Sequence, residues 1–275
     1  MSLFRYPGGK GKLAKQILAK ISQEMKKVPY IEEYREPFFG GGSVGLEFLK
    51  KTQLKKAWIN DRDLGIASIW TSVIRYPNLF MQEIQTFIPS VEEFFDFKYF
   101  LEKNVLHYRT VTEVGFKKLA IHQTSYSGLG TKAGGPIGGK DQVSTYDVAC
   151  RWSPDLLCKK IKEYHKLFSR FDMRDGHCTA LDFEELILDE DIPAIIYLDP
   201  PYFIKGNELY ACGFTLQDHK RLADLLKYTR HKFVLSYDNC GPIYDLYSWA
   251  HIEIVDVTYS INGSNNKTEL LITRE

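Results

Sequence analysis

One short segment constrains the fold of this chain more than any other: Asp199-Pro200-Pro201-Tyr202, directly after the apolar run 194–198. A short run of apolar and β-branched residues that is closed by a double proline predicts a buried strand of a parallel sheet. In open α/β sheets, ligands bind beyond the carboxyl ends of such strands. Asp199 is therefore expected at the ligand-binding edge of a parallel sheet.

The same four residues suit a flat ligand that carries an amino group. Neither proline can donate a backbone hydrogen bond and both have a fixed φ, so the turn presents the Asp199 carboxylate and the Pro200 carbonyl as a rigid pair of acceptors. Tyr202 adds a ring on which a nucleobase could stack. Acceptors that lie where positive charge develops on a reacting amine stabilise the transition state of transfer to that amine. An ordinary strand end can have the same sequence, so the motif alone leaves both interpretations open.

The composition is that of a globular protein with local excesses of basic residues. The 275 residues, 44% of them hydrophobic, allow two domains or one large domain, and no apolar run approaches the ~20 residues of a membrane span. The opening residues do not resemble a secretory signal, and the five cysteines include no C-x-x-C pair, which favours reduced cytosolic thiols over a zinc site. Net charge is +7 over 1–60, −4 over 61–97, +7 over 98–170 and −9 over 171–275. The two basic blocks favour a polyanion-binding face, although solvated helix faces would give the same pattern.

A glycine turn follows the first predicted strand. The strand at 34–39 ends in the glycines at 40–42, and a predicted helix at 44–51 comes next. Strand, glycine turn and helix begin a dinucleotide-type βαβ unit, in which the glycines let a ligand approach the backbone. A second predicted strand, 57–60, ends at Asp61, where an acidic residue accepts hydrogen bonds from ribose hydroxyls in that architecture.

The rest of the chain divides into a helical middle part and a second strand–helix region. Further helices are predicted at 12–26, 91–106, 114–122, 154–168, 183–188, 216–230 and 242–247, and further strands at 177–180, 194–198, 232–237, 251–260 and 268–273. The middle part, 76–165, also contains a basic, glycine-rich loop at 127–140. With the two earlier strands the total is seven. The last two have no helix between them, which predicts an antiparallel hairpin with its turn at 264–267.

Together these motifs resemble one family closely, the D12-class (Dam-like, α-group) DNA adenine-N6 methyltransferases, which use S-adenosylmethionine. The chain carries, in the order of that family, F-R-Y-P-G-G-K at 4–10, E-P-F-F-G-G-G-S at 36–43, Y-S-G-L at 126–129, D-F at 182–183 and D-P-P-Y at 199–202. The resemblance covers nearly the whole chain. It implies an α/β fold with a Rossmann-like, seven-stranded S-adenosylmethionine methyltransferase domain at 1–75 and 166–275, and an inserted, mostly helical DNA target-recognition domain at 76–165.

Family membership would assign roles to the matching positions. Those expected to bind the cofactor are Tyr6, Lys10, Phe38, Phe39, Gly40, Gly42, Asp61, Asp182, Phe183 and Asp199. Those expected to hold the flipped target base and carry catalysis are Asp199, Pro200, Pro201 and Tyr202. Those expected to contact DNA are Tyr126, Ser127, Gly128, Lys132, Lys140 and Arg151, and no metal is implied. The implied substrate is double-stranded DNA, the implied setting is the cytoplasm of a bacterial or phage-infected cell, and a cognate restriction endonuclease would be a partner in a restriction–modification system.

Two other functions fit the sequence. Cytosine-N4 methyltransferases use the same geometry but usually have S-P-P-Y, so Asp199 favours adenine without excluding cytosine. A non-catalytic DNA-binding relative could keep the fold with a degenerate cofactor site, but this chain keeps Lys10, Asp61 and Tyr202. Base readout depends on a few side chains in the DNA grooves, so the recognition sequence is left open.

Overall fold

A computed structural model of the protein describes residues 2–6, 8–103, 109–132, 134–204, 213–257 and 267–274. The strands are β1 Glu33–Glu36, β2 Lys56–Ile59, β3 Asp172–Met173, β4 Ala194–Leu198, β5 Lys232–Asp238, β6 His251–Val257 and β7 Lys267–Thr273. They form one seven-stranded sheet in the order β3-β2-β1-β4-β5-β7-β6. The strands from β3 to β5 in that order pair in parallel, and β7 lies antiparallel between β5 and β6. The predicted α/β class, seven strands and antiparallel C-terminal pair are confirmed, whereas residues 264–266 of the predicted turn lie outside the described residues.

The helices of the described residues alternate with these strands in the first and last parts of the chain. They are α1 Ala14–Lys26, α2 Gly45–Lys51, α3 Leu64–Arg75, α4 Pro77–Thr86, α5 Val91–Glu102, α6 Val111–Thr124, α7 Pro154–Phe168, α8 Phe183–Leu188, α9 Leu216–Tyr228 and α10 Gly241–Leu246. Local sequence explains several of their starts. Ser90 and Thr110 accept a hydrogen bond from the backbone at the third position of α5 and α6, and Thr215 forms a reciprocal capping box with Asp218 at the start of α9. No helix in the described part of the chain is both long and apolar enough to cross a bilayer.

Strand β4 is buried on both faces, as its continuous apolar sequence predicts. Because successive side chains point to opposite faces of a sheet, Ile195 and Tyr197 belong to one core, and Ile196 and Leu198 belong to the other. The first core also contains apolar residues of α1, α2, α3, α6 and α7, and the second contains residues of α8, α9 and α10. The sheet is therefore the middle layer of three, with a larger helical layer on the first face.

The strand predicted at 177–180 is wrong. The edge strand of the sheet is β3, which is only two residues long, and within 177–180 Thr179 makes an isolated bridge to Asn60. Asp175 and Gly176, between β3 and this bridge, both have positive φ (52° and 69°) and turn the chain out of the strand. Cys178 and Thr179 are buried as strand residues would be, but the sequence pattern did not show this turn.

Helix α3 does not appear among the predicted elements, although its sequence carries a helical signal. Its large apolar residues recur at the spacing of a helix, at positions 66, 69, 70, 73 and 74, and polar residues lie between them at 68, 71, 72 and 75. In the structure every residue from Gly65 to Val73 is buried, the polar ones included.

Helices α6 and α7 lie within the segment 76–165 but pack into the core of the sheet. Leu119 and Ile121 of α6, and Ile161 and Tyr164 of α7, are buried in the same core as the β1 residue Tyr34. Both helices pack on α3, and the rings of His122 on α6 and Phe168 on α7 lie 5.9 and 6.5 Å from those of the predicted cofactor residues Tyr6 and Phe39.

Candidate active site

The sheet changes its winding direction between β1 and β4. From β1 the chain proceeds to β2 on one side, and from β4 it proceeds to β5 on the other, which makes the crevice at their carboxyl ends the expected ligand site. A cavity lies there, with about 980 Å³ of empty space that includes its opening to solvent. Its lining includes, from the predicted cofactor and catalytic sets, Tyr6, Phe38, Phe39, Gly40, Asp61, Phe183, Asp199 and Pro201. The glycine turn and the Asp199 segment, 160 residues apart in sequence, thus face one continuous space.

Two hydrogen bonds and the ring of Tyr6 hold the backbone of Gly40 in the turn that follows β1. It has a φ of 48°, its N–H donates to Asp61 Oδ2 at 2.8 Å, and its carbonyl accepts from Trp70 Nε1 at 2.8 Å. A Cβ atom at this position would lie 2.5 Å from Cε1 of Tyr6. Only glycine allows both the left-handed conformation and the close approach of the tyrosine ring. The turn is therefore preorganised by its neighbours.

Asp61 presents a buried carboxylate to the cavity. Besides Gly40, the backbone N–H of Asp63 donates to its Oδ1 at 2.9 Å. Burial raises the pKa of Asp61 to about 7, and the negative charge of Asp63 acts in the same direction, while those two backbone donors and the charge of Lys118 oppose the shift. Near neutral pH this carboxylate therefore gains or loses a proton easily, and its ionised form is a strong acceptor for hydroxyl groups.

Three phenylalanines form an apolar wall of the cavity. The ring of Phe183 lies 5.7 Å from that of Phe38 and 5.6 Å from that of Phe214, and Phe38 meets Phe214 edge to face at 5.8 Å. The guanidinium of Arg221 lies 4.4 Å from the centre of the Phe183 ring on the helical side. A wall of this kind suits a flat aromatic ligand.

Asp182 lies beside this wall and does not line the cavity as defined by the described residues. Its Oδ1 accepts from the backbone N–H of Glu184 at 3.1 Å, which caps α8. Its Oδ2 accepts from Arg62 at 2.7 Å and from Arg221 at 3.0 Å. The protein thus supplies three donors to this carboxylate, and Oδ1, which accepts only one of them, keeps an acceptor site for the predicted contact with a cofactor.

Lys10 connects the first loop of the chain to the Asp-Pro-Pro-Tyr segment. Its buried Nζ donates to Asp199 Oδ1 at 2.5 Å and to the Tyr202 hydroxyl at 2.8 Å. Ser236, on β5, donates to the same Asp199 oxygen at 3.1 Å. Lys10 was predicted to contact the cofactor, but in the described structure its ammonium group is directed at the catalytic segment. Lys10, Gly42, Asp182, Pro200 and Tyr202 are the predicted cofactor and catalytic residues that do not line the cavity in the described structure.

Glu269, on β7, completes this cluster. The Tyr202 hydroxyl donates to its Oε1 at 2.8 Å, and its Oε2 lies 3.7 Å from Lys10 Nζ without a hydrogen bond to any described residue. Burial raises the pKa of Glu269, the charge of Lys10 lowers it, and the charge of Asp199 raises it. A buried carboxylate oxygen without a hydrogen-bond donor costs free energy unless a water molecule or a ligand supplies the donor.

Glu36, the last residue of β1, is a further buried carboxyl group in the cavity wall. Its Oε2 accepts from the Tyr34 hydroxyl at 2.8 Å. Burial raises its pKa, the Tyr34 hydrogen bond opposes this, and the charges of Asp199 and Asp61 add to it. Glu36 is the first residue of the E-P-F-F-G-G-G-S motif at 36–43, a position that could have identified it as a site residue.

The predicted DNA-contacting residues lie on the surface, with one exception. Tyr126 is 75% exposed, and Ser127, Lys132, Lys140 and Arg151 are exposed as well. Gly128 is buried, has a φ of 71°, and packs under the side chain of Arg5. Arg5 Nη1 also donates to the Tyr126 carbonyl at 3.3 Å.

Sequence reasoning assigned no role to Arg5, Glu36, Ser236 or Glu269, although each lies in a segment that resembles a family motif, at 4–10, 36–43, 235–238 and 269–272. The first two lie within motifs that were recognised for their neighbours, so proximity in sequence was an available signal. Ser236 meets Asp199 because β5 pairs with β4, and Glu269 comes close to Tyr202 because β7 pairs with β5. Those pairings have no signature in the linear sequence.

Comparison with known proteins gives one match. A family model described as D12 class N6 adenine-specific DNA methyltransferase matches residues 6–261. The matched region includes Gly40, Asp61 and Asp199 and ends before β7. No curated protein matches the chain.

Proposed function

The chain belongs to the D12 class of N6 adenine-specific DNA methyltransferases, and from this premise we propose that it transfers the methyl group of S-adenosylmethionine to N6 of a specific adenine in double-stranded DNA. The observation that carries the proposal is the cavity that joins the Gly40 turn and Asp61 to Asp199. One end of this space has the groups that a nucleoside requires, and the other has the acceptor that an exocyclic amine requires.

The residues of the cavity fit the proposed cofactor. The Asp61 carboxylate suits ribose hydroxyls, the phenylalanine wall suits an adenine ring, and the Gly40 turn lets a ligand approach the backbone. When bound, S-adenosylmethionine supplies an electrophilic methyl group on a sulfonium centre. In this proposal, Asp61, Phe183 and the turn at 40–42 hold the cofactor so that this group faces Asp199.

Asp199 is arranged to hold the target amine. Lys10 and Ser236 both donate to its Oδ1, which leaves Oδ2 without a hydrogen bond to any described residue. Oδ2 and the Pro200 carbonyl would accept the two hydrogens of the adenine amine. The carboxylate would also stabilise the positive charge that develops on the amine nitrogen, while Lys10 fixes the orientation of the carboxylate.

We further propose that the segment 76–165 is the main DNA-recognition part of the chain and that the target base leaves the helix to reach Asp199. Extrusion costs a few kcal/mol, and stacking on the Tyr202 ring would offset part of this cost. The exposed cations Lys132, Lys140 and Arg151 would contact phosphates. DNA affinity measured in increasing salt should therefore fall steeply, whereas an affinity that is insensitive to salt would contradict this assignment.

The test of the proposed reaction is transfer of a labelled methyl group. The protein is incubated with methyl-labelled S-adenosylmethionine and duplex DNA of mixed sequence, and the DNA is digested to nucleosides and separated. We expect the label in N6-methyladenine, and none in a control duplex of G·C pairs. Label in N4-methylcytosine would show that the amine is that of cytosine, and the absence of label from protein that binds DNA would support a non-catalytic role. Resistance of the modified DNA to a restriction endonuclease would identify the recognition sequence and test the proposed restriction–modification setting.

A further inference from the structure

We propose that Lys118, on helix α6, is a positioning residue for cofactor binding, which acts on the Asp61 carboxylate through Asp63. The inference rests on the proposed cofactor site and extends it to a helix within the segment 76–165. Lys118 itself does not line the cavity described by the structure. Its influence would therefore pass through the two aspartates at the carboxyl end of β2.

The side chain of Lys118 crosses from α6 to the beginning of α3. Its Nζ lies 2.6 Å from Asp63 Oδ2, and the side chain is only 5% exposed. The lysine side chain lies over Gly65, where an added Cβ atom would be 2.8 Å from its Cγ and Cδ atoms. A larger residue at 65 would have to displace the lysine, so the sequence at the start of α3 is compatible with this ion pair.

Asp63 connects Lys118 to Asp61. Its Oδ1 caps α3 by accepting from the backbone N–H groups of Gly65 and Ile66, and its Oδ2 binds Lys118. Its own backbone N–H donates to Asp61 Oδ1 at 2.9 Å. The other Asp61 oxygen accepts from Gly40. The lysine therefore anchors the residue whose backbone aims the Asp61 carboxylate at the cavity.

The charge of Lys118 also lowers the pKa values of both aspartates, Asp61 and Asp63. Burial raises the pKa of Asp61 most, the charge of Asp63 raises it further, and Lys118 lowers it. Burial opposes ionisation of Asp63 as well, but Lys118 holds the pKa of Asp63 below its ordinary value. Two neighbouring buried carboxylates that lose their cation retain a proton between them to higher pH.

The other groups near Asp61 do not replace Lys118. In the described structure, the titratable or charged groups around Asp61 come from four segments. They are Asp63 and Arg62 on its own segment, Glu36 on β1, Cys178 after β3, and Lys118 on α6. His122, also on α6, faces Asp63. Arg62 is exposed and bound to Asp182, and Glu36 and Cys178 gain negative charge when they ionise. Burial and the charge of Lys118 lower the pKa of His122 to about 3, so it is neutral at physiological pH. Among these groups, Lys118 is the buried cation, and its charge favours the ionised form of Asp61.

The experiment measures binding of S-adenosylmethionine by calorimetry between about pH 6 and pH 9, so it does not depend on turnover. Because ionised Asp61 is the acceptor for hydroxyl groups, affinity in the wild-type protein should rise with pH through about 7. In Lys118→Met the pH of half-maximal affinity should move upward by about one unit, with roughly fivefold weaker binding near pH 7 and about tenfold weaker binding well below it, as an increase of one in the pKa requires. The difference should close at high pH. Lys118→Arg should restore the wild-type profile.

Two further variants keep the test decisive. Lys117→Met removes the neighbouring lysine of α6, which is 21% exposed and bound to Glu113, and should leave the profile unchanged. Asp63→Asn keeps a capping side chain but removes the charge that raises the pKa of Asp61, so the profile should move to lower pH. This opposite shift can be measured even if Lys118→Met does not fold.

Three results are informative. Affinity of Lys118→Met that is unchanged, or weakened equally at every pH, would overturn the positioning role, as would an Asp63→Asn profile that does not move to lower pH. Wild-type protein that does not bind S-adenosylmethionine at any pH would contradict the proposed function itself. The two failures are therefore distinguishable.

Discussion

Two buried clusters of charge lie on the same pair of strands, β1 and β4, and they differ in how completely their hydrogen bonds are satisfied. Arg35, on β1, is fully buried beneath the amino end of β4. Its guanidinium donates to the carboxylates of Glu33 at 2.5 Å and Asp189 at 3.0 Å, and to the carbonyls of Leu186, Asp189 and Ile192 at 2.8, 2.6 and 3.1 Å. This cluster uses each of its guanidinium nitrogens, and Arg35 does not line the cavity that joins Gly40 to Asp199.

The cluster at the carboxyl ends of the same strands is incomplete. Lys10 binds Asp199 and Tyr202, but Asp199 Oδ2 and Glu269 Oε2 have no hydrogen-bond donor among the described residues. Asp199 also lines the cavity, whereas Arg35 does not. Buried polar atoms are normally satisfied, so Glu269 Oε2 is an exception, and Asp199 Oδ2 is an acceptor that a ligand in the cavity could use. Similar ion-pair chemistry thus gives a structural cluster at one edge and a candidate catalytic cluster at the other.

The comparison predicts that the Arg35 cluster carries stability and contributes nothing to transfer. Arg35→Met should lower the free energy of unfolding by about 3–5 kcal/mol, because it leaves buried carboxylates without their cation. Turnover per folded molecule, measured well below the unfolding transition, should stay at the wild-type value. Arg174, which is partly exposed and binds the same Asp189, is the matched control, and Arg174→Met should cost about 1 kcal/mol or less. A large loss of turnover in folded Arg35→Met would contradict the assignment of this cluster to stability alone.

For Glu269 we expect the opposite pattern, a loss of methyl transfer without a loss of stability, and a smaller effect. Glu269→Gln keeps an acceptor for Tyr202 but removes the charge, so methyl transfer should fall about tenfold, the equivalent of about 1.4 kcal/mol for a hydrogen bond to a charged group. Stability should not decrease at neutral pH. The folded pKa of this acid is raised, so the ionised carboxylate disfavours folding above that pKa, and removing it removes that cost. Denaturant unfolding at pH 7 that shows a loss above about 1 kcal/mol would place Glu269 with the structural cluster instead.

The two clusters also show what could be predicted from sequence. Asp61, Gly40 and Asp199 were identifiable because each directly follows a strand with a clear apolar pattern, and the carboxyl ends of parallel strands meet at one edge. Arg35 looked like an ordinary residue of a short strand, and its partners at 186–192 come from a loop 150 residues later. Glu269 and Lys118 reach the site only through the pairing of β7 with β5 and the packing of α6 on α3. The local sequence around these two residues does not show which distant elements they meet.

The central claim is that Asp199 at the cavity carries methyl transfer, and a single-turnover rate tests it most directly. The protein with Asp199→Ala is compared with the wild type and with Asp191→Ala, a control at an exposed aspartate before β4. Both variants must first show a cooperative unfolding transition and wild-type affinity for duplex DNA. We predict that Asp199→Ala slows the appearance of N6-methyladenine by on the order of 10²–10³-fold or more, as expected when a preorganised electrostatic partner of the transition state is removed, while Asp191→Ala is unaffected. A folded Asp199→Ala protein with the wild-type rate would contradict the account.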